Sequence, residues 1–151
     1  MKDFENINDI LDFAIANEQT AFEFYSSLSI SARNEDMKNT FEHFAQEEIG
    51  HKAKLLKVKE EGIFNRESLK ITDLKIADYL DNVQATPDMS YQDALILAMK
   101  REKAAFRLYT RLAGKCANPN LVNLFLALAQ EESKHKLMFE VEYDEFILRE
   151  N

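Results

Sequence analysis

Residues 45–52 read AQEEIGHK, and residues 129–136 read AQEESKHK. The two stretches lie 84 residues apart and form the most similar part of a longer repeat. When residues 11–52 are aligned without a gap to residues 95–136, 16 of the 42 positions are identical, whereas chance would give only a few. The chain therefore contains two copies of one structural unit. Two long copies do not make a solenoid, which stacks a larger number of shorter units.

Each copy of the repeat carries apolar residues at helical spacing. Gly and Pro are scarce, at three and two among 151 residues, and no stretch alternates convincingly with period two. Three helix ends carry recognisable signals: Asp3 as a cap, Gly62 as a C-terminal residue, and Ser90 followed by Asp93 as a capping-box-like pair. The sequence predicts four long helices: three at about residues 4–32, 35–61 and 90–114, and a fourth that starts after Asn118-Pro119 and runs close to the C-terminus.

The lengths of the connections predict how these helices are arranged. The first and second helices, and the third and fourth, are joined by short connections, so each pair should form an antiparallel hairpin. Residues 62–89 connect the hairpins, and they include a predicted short helix at about residues 72–83. A connection of this length can cross the whole bundle. The predicted fold class is all-α: a ferritin-like four-helix bundle of two repeated hairpins with one long crossover, in a single domain over residues 1–151.

A glutamate stands in the middle of each helical face that should be buried. Residues three and four apart lie on the same face of a helix, and on all four helices this face is apolar towards both ends. The aromatic residues on the faces of the first and third helices are Phe22, Tyr25, Phe106 and Tyr109. The polar residues at the centres of the four faces are Glu18, Glu48, His51, Glu102, Glu132 and His135.

Burial of these four carboxylates requires a compensating positive charge. An ionised carboxylate loses several kcal/mol when it leaves water, even after the protein relaxes. Four of them at one level would also repel one another and raise their own pKa values. No Lys or Arg falls on the four faces at that level. Two divalent cations would balance the four carboxylates, and two neutral imidazoles would complete the coordination.

The spacing of these residues also favours a dinuclear metal site. In Glu48-x-x-His51 and in Glu132-x-x-His135, the two side chains lie about one turn apart on the same helix face. Glu18 and Glu102 add one carboxylate from each of the other helices. One Glu from each of two helices, with Glu-x-x-His from each of the other two, is the ligand pattern of ferritin-like dinuclear carboxylate proteins. Such a site accepts iron, manganese or zinc, and a metal-free scaffold is the alternative.

The sequence resembles the ferritin-like domain of the rubrerythrin family over essentially its whole length. The resemblance is carried by Glu18 with Tyr25, by residues 45–51 and by residues 129–135. It implies a di-iron centre, cycling between Fe²⁺ and Fe³⁺, that reduces hydrogen peroxide or dioxygen. It also implies that Glu48 and Glu132 bridge the two irons, with the following terminal ligands: Glu18 with His51, and Glu102 with His135.

Two departures from the family pattern affect the expected chemistry. Rubrerythrins carry an additional glutamate three residues after the one on the third helix, and here that position is Ala105. The site should therefore be more symmetric than the family's, as the repeat predicts. Rubrerythrins also carry a four-cysteine rubredoxin domain, whereas this sequence has one cysteine, Cys116. Electrons should then come from an external donor such as a rubredoxin-like protein, and the resemblance implies a homodimer.

Other polar residues near the site have less specific interpretations. Tyr25 and Tyr109 lie two turns from the glutamates on their own helices, and each could either hydrogen-bond to a ligand carboxylate or be an ordinary core tyrosine. Glu47 and Glu131 point about 100° away from the neighbouring ligand glutamates, which favours a surface or helix-pairing role. His43 aligns with an alanine in the second copy, so it is not predicted to be a ligand.

Composition excludes several other function classes. The net charge of −8 argues against nucleic acid as a partner, because nucleic-acid binding needs a basic patch, and against anionic membranes. No apolar run is longer than residues 94–99, which are too few to span a bilayer, and no signal peptide is recognisable, so a cytoplasmic protein is expected. The alternatives to a peroxide or dioxygen reductase are a ferroxidase that serves iron storage and a hydroxylase with a pocket for an organic substrate.

Overall fold

The computed structural model describes residues 7–32, 34–62 and 89–150. They form four helices: α1 (Ile7–Ile30), α2 (Glu35–Glu61), α3 (Tyr91–Lys115) and α4 (Pro119–Glu150). No strand occurs within these three ranges, so the all-α prediction is confirmed. Asp3 and the short helix predicted at residues 72–83 lie outside the described residues. Among the described residues, no helix combines the length and the apolar character that crossing a lipid bilayer requires.

The helix ends follow the chemistry of their terminal residues. The side chain of Asn34 accepts a hydrogen bond from the backbone N–H of Met37 at 2.9 Å and so caps α2. Its partner in the repeat, Asn118, accepts one from the backbone N–H of Asn120 at 2.8 Å at the start of α4. The predicted signals at α3 and α2 are also confirmed. Ser90 accepts from the backbone N–H of Asp93, and Gly62 ends α2 in the left-handed region at φ 63°.

The helices form two hairpins, because α1 packs along α2 and α3 packs along α4. Tyr25 contacts Glu102 and Tyr109 contacts Glu18, so α1 and α3 run antiparallel. Contacts between α2 and α4 have the same antiparallel order. It follows that α2 ends and α3 begins at opposite ends of the bundle. This is the ferritin-like arrangement with a single long crossover; residues 63–88, which connect the two helices, lie outside the described part of the chain.

Two apolar clusters fill the bundle, one on each side of a central polar level. The first contains Leu11, Ala14, Tyr109, Leu112, Phe125 and Leu128, and the second contains Tyr25, Leu28, Phe41, Phe44, Leu95 and Ala98. A shift of 84 residues converts members of one cluster into members of the other. The sequence repeat therefore has a structural counterpart, a pseudo-two-fold relation centred on the polar level. Burial of each large side chain contributes about 1.5–3 kcal/mol.

The predicted buried faces are correct except at their edges. Phe106 is 39% exposed, although it lies on the predicted face of α3. Its counterpart Phe22 is only partly buried. Phe106 lies four residues after Glu102, which rotates it by about 40° from the centre of the face. Residues with this offset reach the boundary of the bundle rather than its interior.

Candidate metal centre

The central polar level is formed by the six residues singled out by the sequence. Each is at most 2% exposed: Glu18, Glu48, His51, Glu102, Glu132 and His135. They form two groups, and within each group the candidate ligand atoms lie within 4.8 Å of one another. One group contains Glu18 and His51, the other contains Glu102 and His135, and both contain Glu48 and Glu132. The structure thus provides two adjacent four-residue clusters that share two carboxylates.

Each of the two imidazole rings directs its Nδ1 towards the central carboxylates. His51 Nδ1 lies 2.9 Å from Glu132 Oε1 and 3.4 Å from Glu18 Oε2. His135 Nδ1 lies 3.1 Å from Glu48 Oε1 and 3.7 Å from Glu102 Oε2. Each histidine is placed one helical turn after the glutamate on its own helix, so both side chains reach the same level. The two rings are nearly parallel, with centroids 6.4 Å apart.

Seven buried polar atoms of these residues have no hydrogen-bond partner among the described residues. They are Glu18 Oε2, Glu48 Oε1 and Oε2, His51 Nδ1, Glu102 Oε2, Glu132 Oε1 and His135 Nδ1. Some of these atoms are close together, but their directions do not meet hydrogen-bond geometry. Native proteins rarely leave buried polar atoms unpaired, because each costs its full desolvation energy. Every one of the seven belongs to a residue of the two clusters, which fits coordination of cations.

Burial and mutual repulsion perturb the ionisation of the carboxyl groups. Burial raises the pKa of Glu48 and of Glu132 well above the usual value, and the charges of neighbouring glutamates add to the effect. Burial also raises the pKa of Glu102 to about 8. At neutral pH Glu102 therefore retains its proton in the absence of another positive charge, and ionisation of Glu48 and Glu132 is disfavoured. A divalent cation would displace protons from the carboxyl groups and neutralise the negative charge in their place.

Glu18 and His51 form the charged part of the cluster. Burial would raise the pKa of Glu18, but contacts with Glu48 and His51 outweigh burial, and the pKa lies below its usual value. Burial likewise would lower the pKa of His51, but contacts with Glu132 and Glu18 raise it to about 11. A proton on His51 thus supplies positive charge where no cation is bound. Because a metal-bound imidazole must be neutral, cation binding has to release that proton.

Both predicted tyrosines hydrogen-bond to carboxylates, but each does so across the hairpins. Tyr109 Oη donates to Glu18 Oε1, and Tyr25 Oη donates to Glu102 Oε1. Both rings are almost fully buried. Because α1 and α3 are antiparallel, Tyr25, which lies two turns after Glu18 on α1, reaches Glu102 on α3. Burial and nearby carboxylates raise the pKa of Tyr109 well above its usual value, so its hydroxyl stays protonated and acts as a donor.

Glu47 and Glu131 contact the outer edges of the two imidazoles. Glu47 Oε2 lies 2.7 Å from His135 Nε2, and Glu131 Oε2 contacts His51 Nε2. The predicted helix-pairing position is compatible with these contacts, which connect α2 with α4. The contact with the histidines was not anticipated from the sequence. The sequence contained one signal of this contact: both glutamates are identical in the repeat, and each precedes a histidine by four residues. That spacing, however, suggests a pair within one helix rather than a contact between the hairpins.

The remaining residues considered from the sequence lie outside both clusters. His43 is 70% exposed, and its Nε2 lies 2.5 Å from Glu47 Oε1. Ala105 packs against the first apolar cluster, so no additional carboxylate enters the site from that position of α3.

An open cleft of about 550 Å³ between α2 and α4 reaches the outer edges of the imidazoles. Both histidines line it, together with His43, Glu47, Lys54 and Glu131. Most of its lining side chains are ionisable, and they make the cleft suited to small polar molecules.

The comparisons with known proteins agree with this architecture. The model of the Rubrerythrin family matches residues 9–143, which contain all six residues of the central level. Among solved structures, the fold is similar to "Hypothetical Protein Pfu-1136390-001" from Pyrococcus furiosus, with a TM-score of 0.71 and 26% sequence identity. The similarity covers 89% of this chain and 86% of that one. No curated protein matches the sequence.

Proposed function

Because this chain belongs to the rubrerythrin family, we propose that it is a di-iron oxidoreductase that reduces hydrogen peroxide or dioxygen with electrons from an external donor. The observation that carries the proposal is the set of seven buried, unpaired ligand atoms in two four-residue clusters. Four carboxylates carry a charge of −4 when ionised, and two divalent ions neutralise it. Two adjacent metal positions account for the composition of the polar level.

The shared and unshared residues have different roles in this proposal. Glu48 and Glu132 belong to both clusters and would bridge the two ions. Glu18 with His51 would complete one position, and the remaining pair, Glu102 with His135, the other. Bound as two ferrous ions, iron would supply the two electrons that reductive cleavage of an O–O bond requires. Zinc has no accessible redox change and would leave the site without activity.

The protein's own groups orient the ligands and control access. Tyr109 and Tyr25 donate to the two unshared glutamates and hold their carboxylates towards the centre. The apolar clusters above and below exclude water along the bundle. The α2–α4 cleft then provides a route for a small polar oxidant. Reduction of one hydrogen peroxide to two waters consumes two electrons and two protons, and the ionisable side chains of the cleft offer a path for protons from solvent.

A ferroxidase that serves iron storage is the second candidate. Ala105 stands where rubrerythrins place an additional glutamate, so the ligand set is symmetric, and this reduces the distinction from a ferroxidase centre. Storage normally requires a large hollow assembly. A homodimer, which we propose for this chain, would have no cavity for a mineral. Light scattering distinguishes the two, since an assembly of many copies would favour storage.

The proposed activity is tested by single-turnover oxidation. The protein is loaded anaerobically with Fe(II), and hydrogen peroxide or dioxygen is then added in a stopped-flow spectrophotometer. We expect one equivalent of hydrogen peroxide to oxidise two irons per chain, and an added reductant to restore the ferrous state. Continued uptake and oxidation of iron far beyond two per chain would instead establish the ferroxidase. Oxidation no faster than that of free Fe(II) would refute both functions.

A further inference from the structure

The outer nitrogen of each central imidazole contacts a carboxylate from the opposite hairpin. His51 on α2 contacts Glu131 on α4, and His135 on α4 contacts Glu47 on α2. The two carboxylates are 39% and 32% exposed, whereas the two imidazoles are almost fully buried. The proposed bridging and terminal ligand roles do not use these glutamates. From the rim of the site, each nevertheless contacts Nε2, the ring nitrogen that faces away from the clusters.

We propose that Glu131 and Glu47 are positioning residues that hold His51 and His135 with Nε2–H outward and Nδ1 towards the metal. This inference rests on the proposed metal centre. A neutral imidazole carries its proton on either nitrogen, and only the nitrogen without a proton can bind a metal. A carboxylate that accepts from Nε2–H selects the tautomer with Nδ1 available. It also fixes the plane of the ring and increases the basicity of the ligating nitrogen.

The crossed arrangement makes each hairpin dependent on the other. Glu47 lies four residues before His51 on α2, but it serves the histidine of α4. The converse holds for Glu131, which lies on α4. Neither hairpin therefore supplies both a histidine and the carboxylate that orients it. The outer carboxylates therefore reach the histidines only when the two hairpins are packed together.

The two supporting carboxylates are not equally restrained. His43 Nε2 lies 2.5 Å from Glu47 Oε1, while the other oxygen of Glu47 faces His135. In the second copy of the repeat the position of His43 is occupied by Ala127, so Glu131 has no corresponding imidazole. The pseudo-two-fold relation is thus broken at the rim of the site. We expect the Nε2–H of His135 to be more strongly protected from exchange with water than that of His51.

The experiment uses the full chain with [¹⁵N]histidine, loaded with Zn²⁺ as a diamagnetic probe. Long-range ¹H–¹⁵N spectra identify which nitrogen of each ring carries the proton and which binds the metal. In the unmodified protein, we expect both rings to bind through Nδ1 and carry a protected proton on Nε2. In Glu131→Ala, the protection should be lost for His51 alone, and in Glu47→Ala for His135 alone. His43→Ala should reduce the protection of His135 towards that of His51.

Zn²⁺ titration of the same variants gives a second readout. Glu131→Ala and Glu47→Ala should each weaken one of the two Zn²⁺ equivalents by about 10-fold or more, because loss of an outer carboxylate commonly has this effect. Stoichiometry should remain two. The conservative variants Glu131→Gln and Glu47→Gln retain an acceptor oxygen and should recover much of the affinity. Glu42→Ala on α2 and Glu140→Ala on α4 remove glutamates that contact neither histidine, and both should leave affinity unchanged.

The outcomes separate failure of this inference from failure of the metal centre. If the unmodified protein binds two Zn²⁺ ions while the variants keep both tautomers, both protections and both affinities, the positioning role is wrong and the metal centre stands. A stoichiometry of one in Glu131→Ala would make that glutamate a ligand and also overturn the positioning role. If the unmodified protein binds no Zn²⁺, the metal centre fails, and the positioning role fails with it.

Discussion

At the scale of single residues, shared and unshared glutamates should respond differently to substitution. Glu48 belongs to both four-residue clusters, whereas Glu18 belongs to one. We expect Glu48→Ala to weaken both metal positions and Glu18→Ala to remove one of two bound ions. His43→Ala should keep two ions at saturating metal, because His43 lies outside both clusters. Metal content of dialysed protein, measured by mass spectrometry, checks these expectations; loss of an ion in His43→Ala would show that the ligands are misassigned.

The tyrosine hydroxyls offer a second test at this scale. Tyr109→Phe removes the donor to Glu18 and leaves a buried carboxylate oxygen without a partner. The free energy of unfolding should fall by about 1–3 kcal/mol. Tyr143→Phe is the matched control, because that hydroxyl is only partly buried and contacts Gln92 at 3.4 Å; its effect should stay within about 0.5 kcal/mol. Urea denaturation of the metal-free proteins gives both values, and equal effects would contradict the role assigned to Tyr109.

The six central residues were predictable from the sequence, and their environment was predictable only in part. Helical spacing places a glutamate at the centre of each apolar face, and the cost of burying four charges predicts cations. Contacts between helices depend on which faces meet, which a single helix does not specify. The partners of Tyr25 and Tyr109, and those of Glu47 and Glu131, therefore emerged only from the packed bundle.

At the scale of the helices, substitution of two glycines, one inside α2 and one at its C-terminal cap, should have opposite effects on stability. Gly62 caps the helix at φ 63°, a conformation that side chains rarely adopt, so Gly62→Ala should destabilise the protein by about 1 kcal/mol. Gly50 lies inside the helix, and a Cβ built there meets no atom within 4 Å. Gly50→Ala should therefore stabilise it by about 0.5–1 kcal/mol. Thermal unfolding measures both changes, and destabilisation by Gly50→Ala would show that the open space at this position is needed for the fold.

Helix boundaries were predictable wherever a side chain or a glycine marks them. Gly62, Ser90 and Pro119 each produced a predicted end that the structure reproduces within one residue. The caps formed by Asn34 and Asn118 were not singled out, although both are identical positions of the repeat. An asparagine is common in helices and loops alike, and only its hydrogen bond to the first turn reveals the cap.

At the scale of the whole molecule, the central polar level should make stability depend on pH. Burial raises the pKa of Glu102 to about 8, so the stabilisation from its bound proton is present below its unfolded pKa and lost as pH rises through about 8. The pKa of His51 is raised to about 11, and its contribution is likewise lost as pH rises above its unfolded value. Glu18 has a lowered pKa, and its contribution is constant over this range. Metal-free protein should thus become less stable from about pH 6 to pH 9.

The stabilisation that bound metal ions provide should depend on pH in the opposite direction. Binding requires deprotonated carboxylates and a neutral imidazole, so a cation competes with protons and binds more strongly as pH rises. The gain in stability from saturating Mn²⁺ should therefore increase over the same pH range. Urea denaturation with a chelator, and in parallel with Mn²⁺, measures both trends. A metal-free protein whose stability rises with pH would contradict the ionisation assigned to the site.

The overall topology was predictable because the repeat and the connection lengths restrict it strongly. Two similar hairpins with mid-helix glutamates can bury all four polar faces together only when the hairpins pack face to face. The pseudo-two-fold exchange of the two apolar clusters follows from that packing. The exposure of Phe106 and the presence of His43 in only one copy of the repeat were not predictable in this way. Both positions lie at the boundary of the bundle, where packing restricts the side chains less than in the core.

The number of Fe(II) ions bound per chain under anaerobic conditions tests the central claim most directly. Six converging ligands with seven unpaired buried atoms predict about two ions per chain. Glu48→Ala, loaded in parallel, should bind fewer. Binding of less than one ion per chain by the unmodified protein, even after loading with excess Fe(II), would contradict the account, because the seven unpaired buried ligand atoms would then have no metal to coordinate.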